Sequence, residues 1–98
     1  MIKQIILIAF KKNTPKNRID CAMRFFEHIA STIDGIIGFE CGESVCSGTE
    51  YSRCVILSLR SEFAKDMYLN HEKRHQLQER LFQIISDMTV VDVYRLAT

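Results

Sequence analysis

The residues best suited to chemistry lie in one short segment between Tyr68 and His75. Tyr68 and His71 are three positions apart and His75 follows one helical turn later, so a helix here would bring the three side chains together. Near pH 7 a neutral histidine can accept a proton, and a tyrosine hydroxyl can hydrogen-bond a carbonyl oxygen that gains charge. Tyr68, His71 and His75 are therefore candidate catalytic residues for acid–base chemistry.

The same segment also has a purely structural interpretation. Tyr68 can bury its ring and leave its hydroxyl at the surface, while His71 and His75 can cap or solvate a break in a helix. Residue types and spacing alone leave both interpretations of the segment open.

Residues 71–75 also match the pattern His-Glu-x-x-His, in which two histidines one helical turn apart hold zinc and the glutamate acts as general base. A metalloprotease needs a third protein ligand and a substrate cleft, and the two variable positions here are Lys73 and Arg74, on a segment that looks half solvated. We therefore predict no metal site and no cofactor, and we interpret the two histidines as partly exposed helix residues.

The bulk composition is that of an ordinary globular chain. The 98 residues are 47% hydrophobic and 26% charged with a formal net charge of +1, which excludes a disordered, highly charged chain. The basic residues form no stripe with interleaved aromatic side chains, so we expect no nucleic-acid binding. No linker, repeat or low-complexity segment divides the sequence, and we predict a single domain over residues 1–98.

The opening segment and the cysteines predict where in the cell the protein lies. The opening run is apolar, but Lys11 and Lys12 follow it without a small-residue cleavage site, so we interpret it as a strand and not as a signal peptide. The four cysteines are then expected to be reduced and to pack as small buried side chains. No apolar stretch approaches the roughly 20 residues needed to cross a bilayer, and we predict a cytoplasmic protein with no membrane partner.

Hydrophobic periodicity and turn residues divide the chain into successive elements. Apolar runs predict strands over residues 2–10, 36–45, 53–60 and 88–96. Helical spacing predicts a helix over residues 15–33, capped by Thr14, and a second, bent helical region over residues 62–86, capped by Ser61. The order β-α-β-β-α-β predicts an α+β fold of ferredoxin-like topology with a four-stranded antiparallel sheet.

The strands are apolar on both faces, although two helices can cover only one face of a four-stranded sheet. In the first strand Ile6 and Ile8 fall on one side, while Ile5 and Leu7 fall on the other. Both faces therefore require burial. A second copy packed against the helix-free face would provide it, which predicts a homodimer in the form of a closed α+β barrel.

Five short segments resemble a known family in their order and spacing. They are Ile2-Lys3-Gln4-Ile5, Gly35 before the second strand, Gly42 after Phe39-Glu40-Cys41, Tyr68-Leu69-Asn70-His71, and Val90-Val91-Asp92-Val93-Tyr94. Together they resemble the stress-responsive A/B barrel domain over essentially the whole chain. The resemblance implies a dimeric α+β barrel with a pocket between the sheet and the helices of each subunit, and it implies no single activity.

Two positions depart from the pattern of that family. Members commonly have His-Pro-x-His after the tyrosine, whereas this chain has one more residue between His71 and His75 and no proline. Gln4 stands where many members carry a histidine. The family includes a plant polyketide cyclase, which implies that this scaffold can host acid–base catalysis without a cofactor. Both departures change histidine positions that a catalytic pocket of that kind would use.

We expect the pocket implied by the resemblance to bind a small apolar or aromatic ligand, with Gln4, Phe26 and Phe82 as candidate ligand-binding residues. One alternative is a cofactor-independent enzyme, similar to a polyketide cyclase or to monooxygenases of the same barrel architecture, that uses Tyr68 with His71 or His75. Another alternative is a purely structural role, in which the dimer is the function and the pocket is filled by its own side chains.

Overall fold

The computed structural model describes residues 1–94, and within them the chain forms four strands and three helices. In chain order these are β1 (Ile2–Phe10), α1 (Lys16–Thr32), β2 (Ile36–Glu43), β3 (Arg53–Leu59), α2 (Glu62–Leu69), α3 (Glu72–Phe82) and β4 (Ile85–Tyr94). The strands make one antiparallel sheet in the order β2-β3-β1-β4. This arrangement confirms the predicted ferredoxin-like α+β fold. Residues 95 and 96, predicted to continue the last strand, lie outside the described residues.

The two apolar faces of the central strand β1 have different surroundings. Ile6 and Ile8 are buried in the core with side chains of α1 and α3. Ile5 and Leu7, which point to the opposite face, are half-buried. Since the three helices cover only one side of the sheet, no helix of the described residues covers the apolar row on the other side. As predicted, Ile6 and Ile8 lie on one face of β1, and Ile5 and Leu7 lie on the other.

The core lies between the sheet and the helices. Its largest fully buried side chains come from strands β1 and β3 and from helices α1 and α2: Ile8, Phe26, Ile29, Val55, Leu57, Leu59 and Tyr68. Burying one large apolar side chain contributes about 1.5–3 kcal/mol relative to leaving it exposed. Two side chains of this set, Phe26 and Tyr68, also belong to the candidate site, and burial in the core holds them in place.

The second helical region is interrupted, and α2 and α3 are separate helices. Asn70 ends α2, since its side-chain amide donates to the Asp66 carbonyl at 2.9 Å. His71 is extended, with φ −76° and ψ 141°, and its ring Nδ1 accepts the Lys73 amide at 3.1 Å, which caps α3. Ser61 caps α2 as predicted, because its hydroxyl accepts the Ala64 amide at 3.1 Å.

Two predictions at element boundaries are wrong. The helix predicted to reach residue 86 ends earlier, because the Lys11 amide donates to the Ile84 carbonyl at 2.8 Å and Ile85 pairs with Phe10 in the sheet. Thr14 does not cap α1, since its hydroxyl donates to the Lys11 carbonyl at 2.6 Å and Pro15 occupies the cap position.

Gly35 makes the turn between α1 and β2, as the sequence predicts. Its φ is +93°, in the left-handed region that favours glycine. A Cβ added there would lie 2.7 Å from the Ala64 Cβ, so the turn also requires a close approach of α2. Gly38 stands at a register shift between β2 and β3, as at a β-bulge.

The cysteines do not pack as small buried side chains, so that prediction is wrong. Cys21, Cys41 and Cys46 are exposed and Cys54 is half-buried, all with free thiols. Cys41 lies in the exposed half of the edge strand β2, and Cys46 lies in the loop that follows it. Within residues 1–94 no helix is both long enough and apolar enough to span a bilayer.

Candidate functional site

A cavity lies between the sheet and the three helices. It measures about 400 Å³ together with its opening to solvent. Apolar side chains from β1, α1, α3 and β4 form most of its wall: Ile6, Phe26, Leu77, Leu81, Phe82, Ile85, Met88 and Val90. Polar groups interrupt this wall at four positions: Gln4, Tyr68, Arg74 and Gln78. Small-molecule sites have this character, a mostly apolar hollow with a few convergent polar groups.

Gln4 is the buried polar side chain of β1 and is held by its neighbours on β4 and α2. Its Nε2 donates to Asp92 Oδ1 at 3.1 Å, and Lys65 Nζ approaches Asp92 Oδ2 at 3.3 Å. A carboxylate only accepts hydrogen bonds, so the Gln4 amide must turn its NH₂ group toward Asp92. Its carbonyl oxygen is then the end that remains for a ligand donor.

Tyr68 extends from α2 into the core and lines the cavity, with only 1% of its surface exposed. Burial raises the pKa of its hydroxyl above the ordinary value of 10.0, and the nearby Arg74 charge and hydrogen bonding partly oppose this effect. The hydroxyl is therefore protonated at neutral pH. It can donate one hydrogen bond to a ligand oxygen.

Arg74 contributes the positive charge at the cavity wall. It lies in the first turn of α3, is half-buried, and donates from Nη1 to the Gln78 side-chain oxygen one turn further along the helix. The salt bridges among residues 1–94 join Arg53 to Glu43 and Lys65 to Asp92, and neither includes Arg74. No carboxylate side chain of the described residues lines the cavity.

The site residues predicted from the sequence fall into two groups in the structure. Gln4, Phe26, Tyr68 and Phe82 come together around the cavity, whereas His71 and His75 are not part of its lining. His71 is engaged as the cap of α3, and His75 is exposed. Among residues 1–94, no group of three or more histidine, cysteine, aspartate or glutamate side chains could hold a metal ion.

Arg74 and Gln78 are not among the site residues predicted from the sequence, because the charged segment after His71 has the pattern of a half-solvated helix. A signal was available in the helical spacing. Arg74 precedes Leu77 by three positions, and Gln78 precedes Leu81 by three positions. Residues three apart share a helix face, so the two polar residues lie along the same side of α3 as the buried leucines.

None of the three helices in the described part of the chain covers the opposite face of the sheet. Ile5 of β1 lies directly between Ile56 of β3 and Val91 of β4, which makes an apolar row across three strands. At one end of this face the Tyr51 hydroxyl donates to Asp87 Oδ2 at 2.5 Å and contacts the Thr89 hydroxyl at 2.9 Å. The face is therefore apolar at its centre and polar at this end.

Fold and cavity together define a small α+β domain of ferredoxin-like topology with a hollow on the helix-covered side of its sheet. Residues 2–95 match the model of a family described as the stress responsive A/B barrel domain. The chain therefore belongs to this family, which confirms the resemblance found in its sequence. No curated protein matches the chain significantly.

Several solved structures share the fold. A protein from Arabidopsis thaliana with 16% sequence identity superposes with a TM-score of 0.91, covering 100% of this chain and 98% of that chain. A dimeric ferredoxin-like protein of unknown function from Thermobifida fusca has 15% identity and a TM-score of 0.83, with 94% and 88% covered. Hydroxynitrile lyase from Passiflora edulis has 9% identity and a TM-score of 0.90, with 99% and 94% covered. At such identities the similarity concerns the fold alone.

Proposed function

We propose that this protein is a homodimeric binding domain that holds a small apolar or aromatic ligand in the cavity between its sheet and its helices. The observation that carries the proposal is the apolar wall interrupted by the buried polar groups of Gln4 and Tyr68. An apolar wall favours burial of a ring or short chain, and isolated polar groups orient it.

The size of the cavity limits the ligand. Only about 30 Å³ inside the cavity is free for the centres of water-sized atoms. The ligand must therefore be small, and part of it must extend through the opening. Phe82 and Val90, which are largely exposed although they line the cavity, mark its boundary with solvent.

The dimer would form through the helix-free face. Support comes from the row Ile56, Ile5 and Val91, which is apolar and has no helix over it among residues 1–94. A protein of the same fold, from Thermobifida fusca, is described as dimeric. Two such faces would pack about 10 Å apart, as sheets do in sandwiches. A cytoplasmic location and a single domain over residues 1–98 remain predictions from the sequence.

Thermal unfolding with a panel of small aromatic and short alkyl compounds tests ligand binding. A compound at about one hundred times its dissociation constant adds roughly 2.7 kcal/mol to the free energy of unfolding. We expect one chemical class to raise the unfolding temperature. The rise should be smaller in Phe82→Ala, which removes a ring from the cavity wall.

Phe63→Ala is the matched control, because Phe63 is 74% exposed, Phe82 is 63% exposed, and Phe63 does not line the cavity. This variant should keep the full ligand-induced shift. A panel without any shift, or equal loss of the shift in both variants, would contradict the proposal.

A further inference from the structure

Arg74 is the charged residue among those that line the cavity, and its charge is not balanced there. Within residues 1–94 it takes part in no salt bridge, and no aspartate or glutamate lines the cavity. Its neighbours Tyr68 and Gln78 are neutral. A half-buried guanidinium beside an apolar wall is therefore left without an anion.

The surroundings of Arg74 make an added anion favourable. Gln78 accepts a hydrogen bond from Nη1, and a guanidinium has five N–H donors in all. Phe26 and Leu77 on the same cavity wall are buried, so water screens the charge less than it would on an open surface. An oxygen anion placed here would meet free donors in a partly dehydrated site.

We infer that the ligand of this cavity is a small carboxylic acid, bound as its carboxylate by Arg74 with a further hydrogen bond from the Tyr68 hydroxyl. This inference rests on the ligand-binding function proposed above and specifies its substrate class. The ring or alkyl part of the acid lies against Phe26, Leu77 and Leu81. The Gln4 carbonyl oxygen accepts from a hydroxyl group where the acid carries one.

A single carboxylate fits this site better than a phosphate does. Among residues 1–94, Arg74 is the one cationic side chain that lines the cavity. A phosphate group near pH 7 carries ≈ −1.5 to −2 charges and has three strong acceptor oxygens. One guanidinium and one hydroxyl match the single charge and two oxygens of a carboxylate.

Calorimetric titration with two matched pairs of probes tests the inference: benzoate against benzamide, and hexanoate against hexanamide. Each pair has the same apolar part and differs in charge, since carboxyl groups are ionised at pH 7. A hydrogen bond to a charged group is stronger than one to a neutral group, so at least one acid should bind roughly tenfold more tightly than its amide. Arg74→Gln should reduce the affinity for the acid to that for the amide.

Two further variants locate the effect at Arg74. Arg74→Lys keeps the charge and should retain part of the preference for the acid. Arg24→Gln removes an equal charge from an exposed position on α1 outside the cavity, and it should leave the preference unchanged.

The outcomes separate this inference from the function on which it rests. Binding of the amides and acids with equal affinity, or a preference that survives Arg74→Gln, overturns the carboxylate inference and leaves the apolar ligand site in place. If neither the acids nor the amides bind, and the wider panel also gives no shift, both the inference and the proposed function fail.

Discussion

Val90 and Val91 are neighbours in β4 but belong to opposite surfaces of the sheet. Val90 pairs with Ile6 and lines the cavity, whereas Val91 pairs with Ile5 on the helix-free face. Their exposures are nearly equal, at 43% and 47%. The same substitution made at Val90 and at Val91 therefore tests the two surfaces separately at adjacent positions.

Val91→Lys should disrupt the proposed dimer. The substitution places a charge on the helix-free face beside Ile5, and two-fold symmetry would repeat it on the second copy. Burial of an unpaired charge is strongly unfavourable. We expect the molar mass from light scattering at micromolar concentration to fall from that of a dimer to that of a monomer.

Val90→Lys is the control for this experiment. It should leave the dimer intact and weaken ligand binding, because Val90 lies on the cavity side. If both variants dissociate to the same extent, or if the parent protein is already a monomer, the helix-free face is not the interface.

Gly35→Ala should destabilise the fold. An alanine at φ +93° adopts an unfavourable backbone conformation, and its Cβ would lie 2.7 Å from that of Ala64. Strained backbone alone costs about 1–3 kcal/mol. Chemical denaturation should show a loss of this order or larger. Gly48→Ala is the control, since the added Cβ has its nearest neighbour at 3.9 Å, and its effect should be small by comparison.

The stability of the protein should fall at alkaline pH because of Tyr68. Burial raises the pKa of its hydroxyl in the fold, whereas an unfolded tyrosine has a pKa of about 10. The folded state then holds the proton more tightly. The corresponding stability is fully present below about pH 10 and is lost as the pH rises through the folded pKa.

Ultraviolet titration can isolate this group. Tyr51→Phe with Tyr94→Phe leaves Tyr68 as the sole tyrosine of the chain. Its ionisation midpoint should lie above 10 in the folded protein and should return to about 10 in denaturing urea. Equal midpoints in the two conditions would contradict the effect of burial.

His71 and His75 should differ in their effect on stability. His71 caps α3 by accepting the Lys73 amide, so His71→Ala should reduce the free energy of unfolding by about 1 kcal/mol. His75 is exposed, and His75→Ala should change it by less than about 0.5 kcal/mol. Because neither residue lines the cavity, ligand affinity should be retained in both. A large loss of affinity in either variant would instead support the functional role predicted from the sequence.

The sheet and its topology were predictable because their signals are local and strong. β1 is a nine-residue stretch rich in isoleucine with apolar side chains on both faces, and its length and β-branched residues together indicate a buried strand. Ser61 and Gly35 were also predictable, since a cap and a left-handed turn each favour a particular residue type.

The predictions failed where distant contacts override local preference. Ile84 and Ile85 continue the apolar spacing of a helix, but hydrogen bonding of this segment with Lys11 and Phe10 draws it into the sheet. The same limit applies to the candidate site. Phe26 and Tyr68 could be identified as apolar or aromatic candidates, whereas the inward position of Arg74 depends on how α3 turns against the sheet after the break at His71.

Side chains of β4 point alternately to the cavity and to the helix-free face, so the length of this strand is constrained. Successive side chains of a strand point to opposite faces, so a shift of pairing by one residue moves every side chain to the other face. Deleting one residue near the middle of Ile85–Tyr94 would turn Asp92 away from Gln4 and would carry Val91 from the helix-free face to the cavity. This strand should therefore resist insertions and deletions of one residue, since each of these alters the binding surface and the pairing surface in one step.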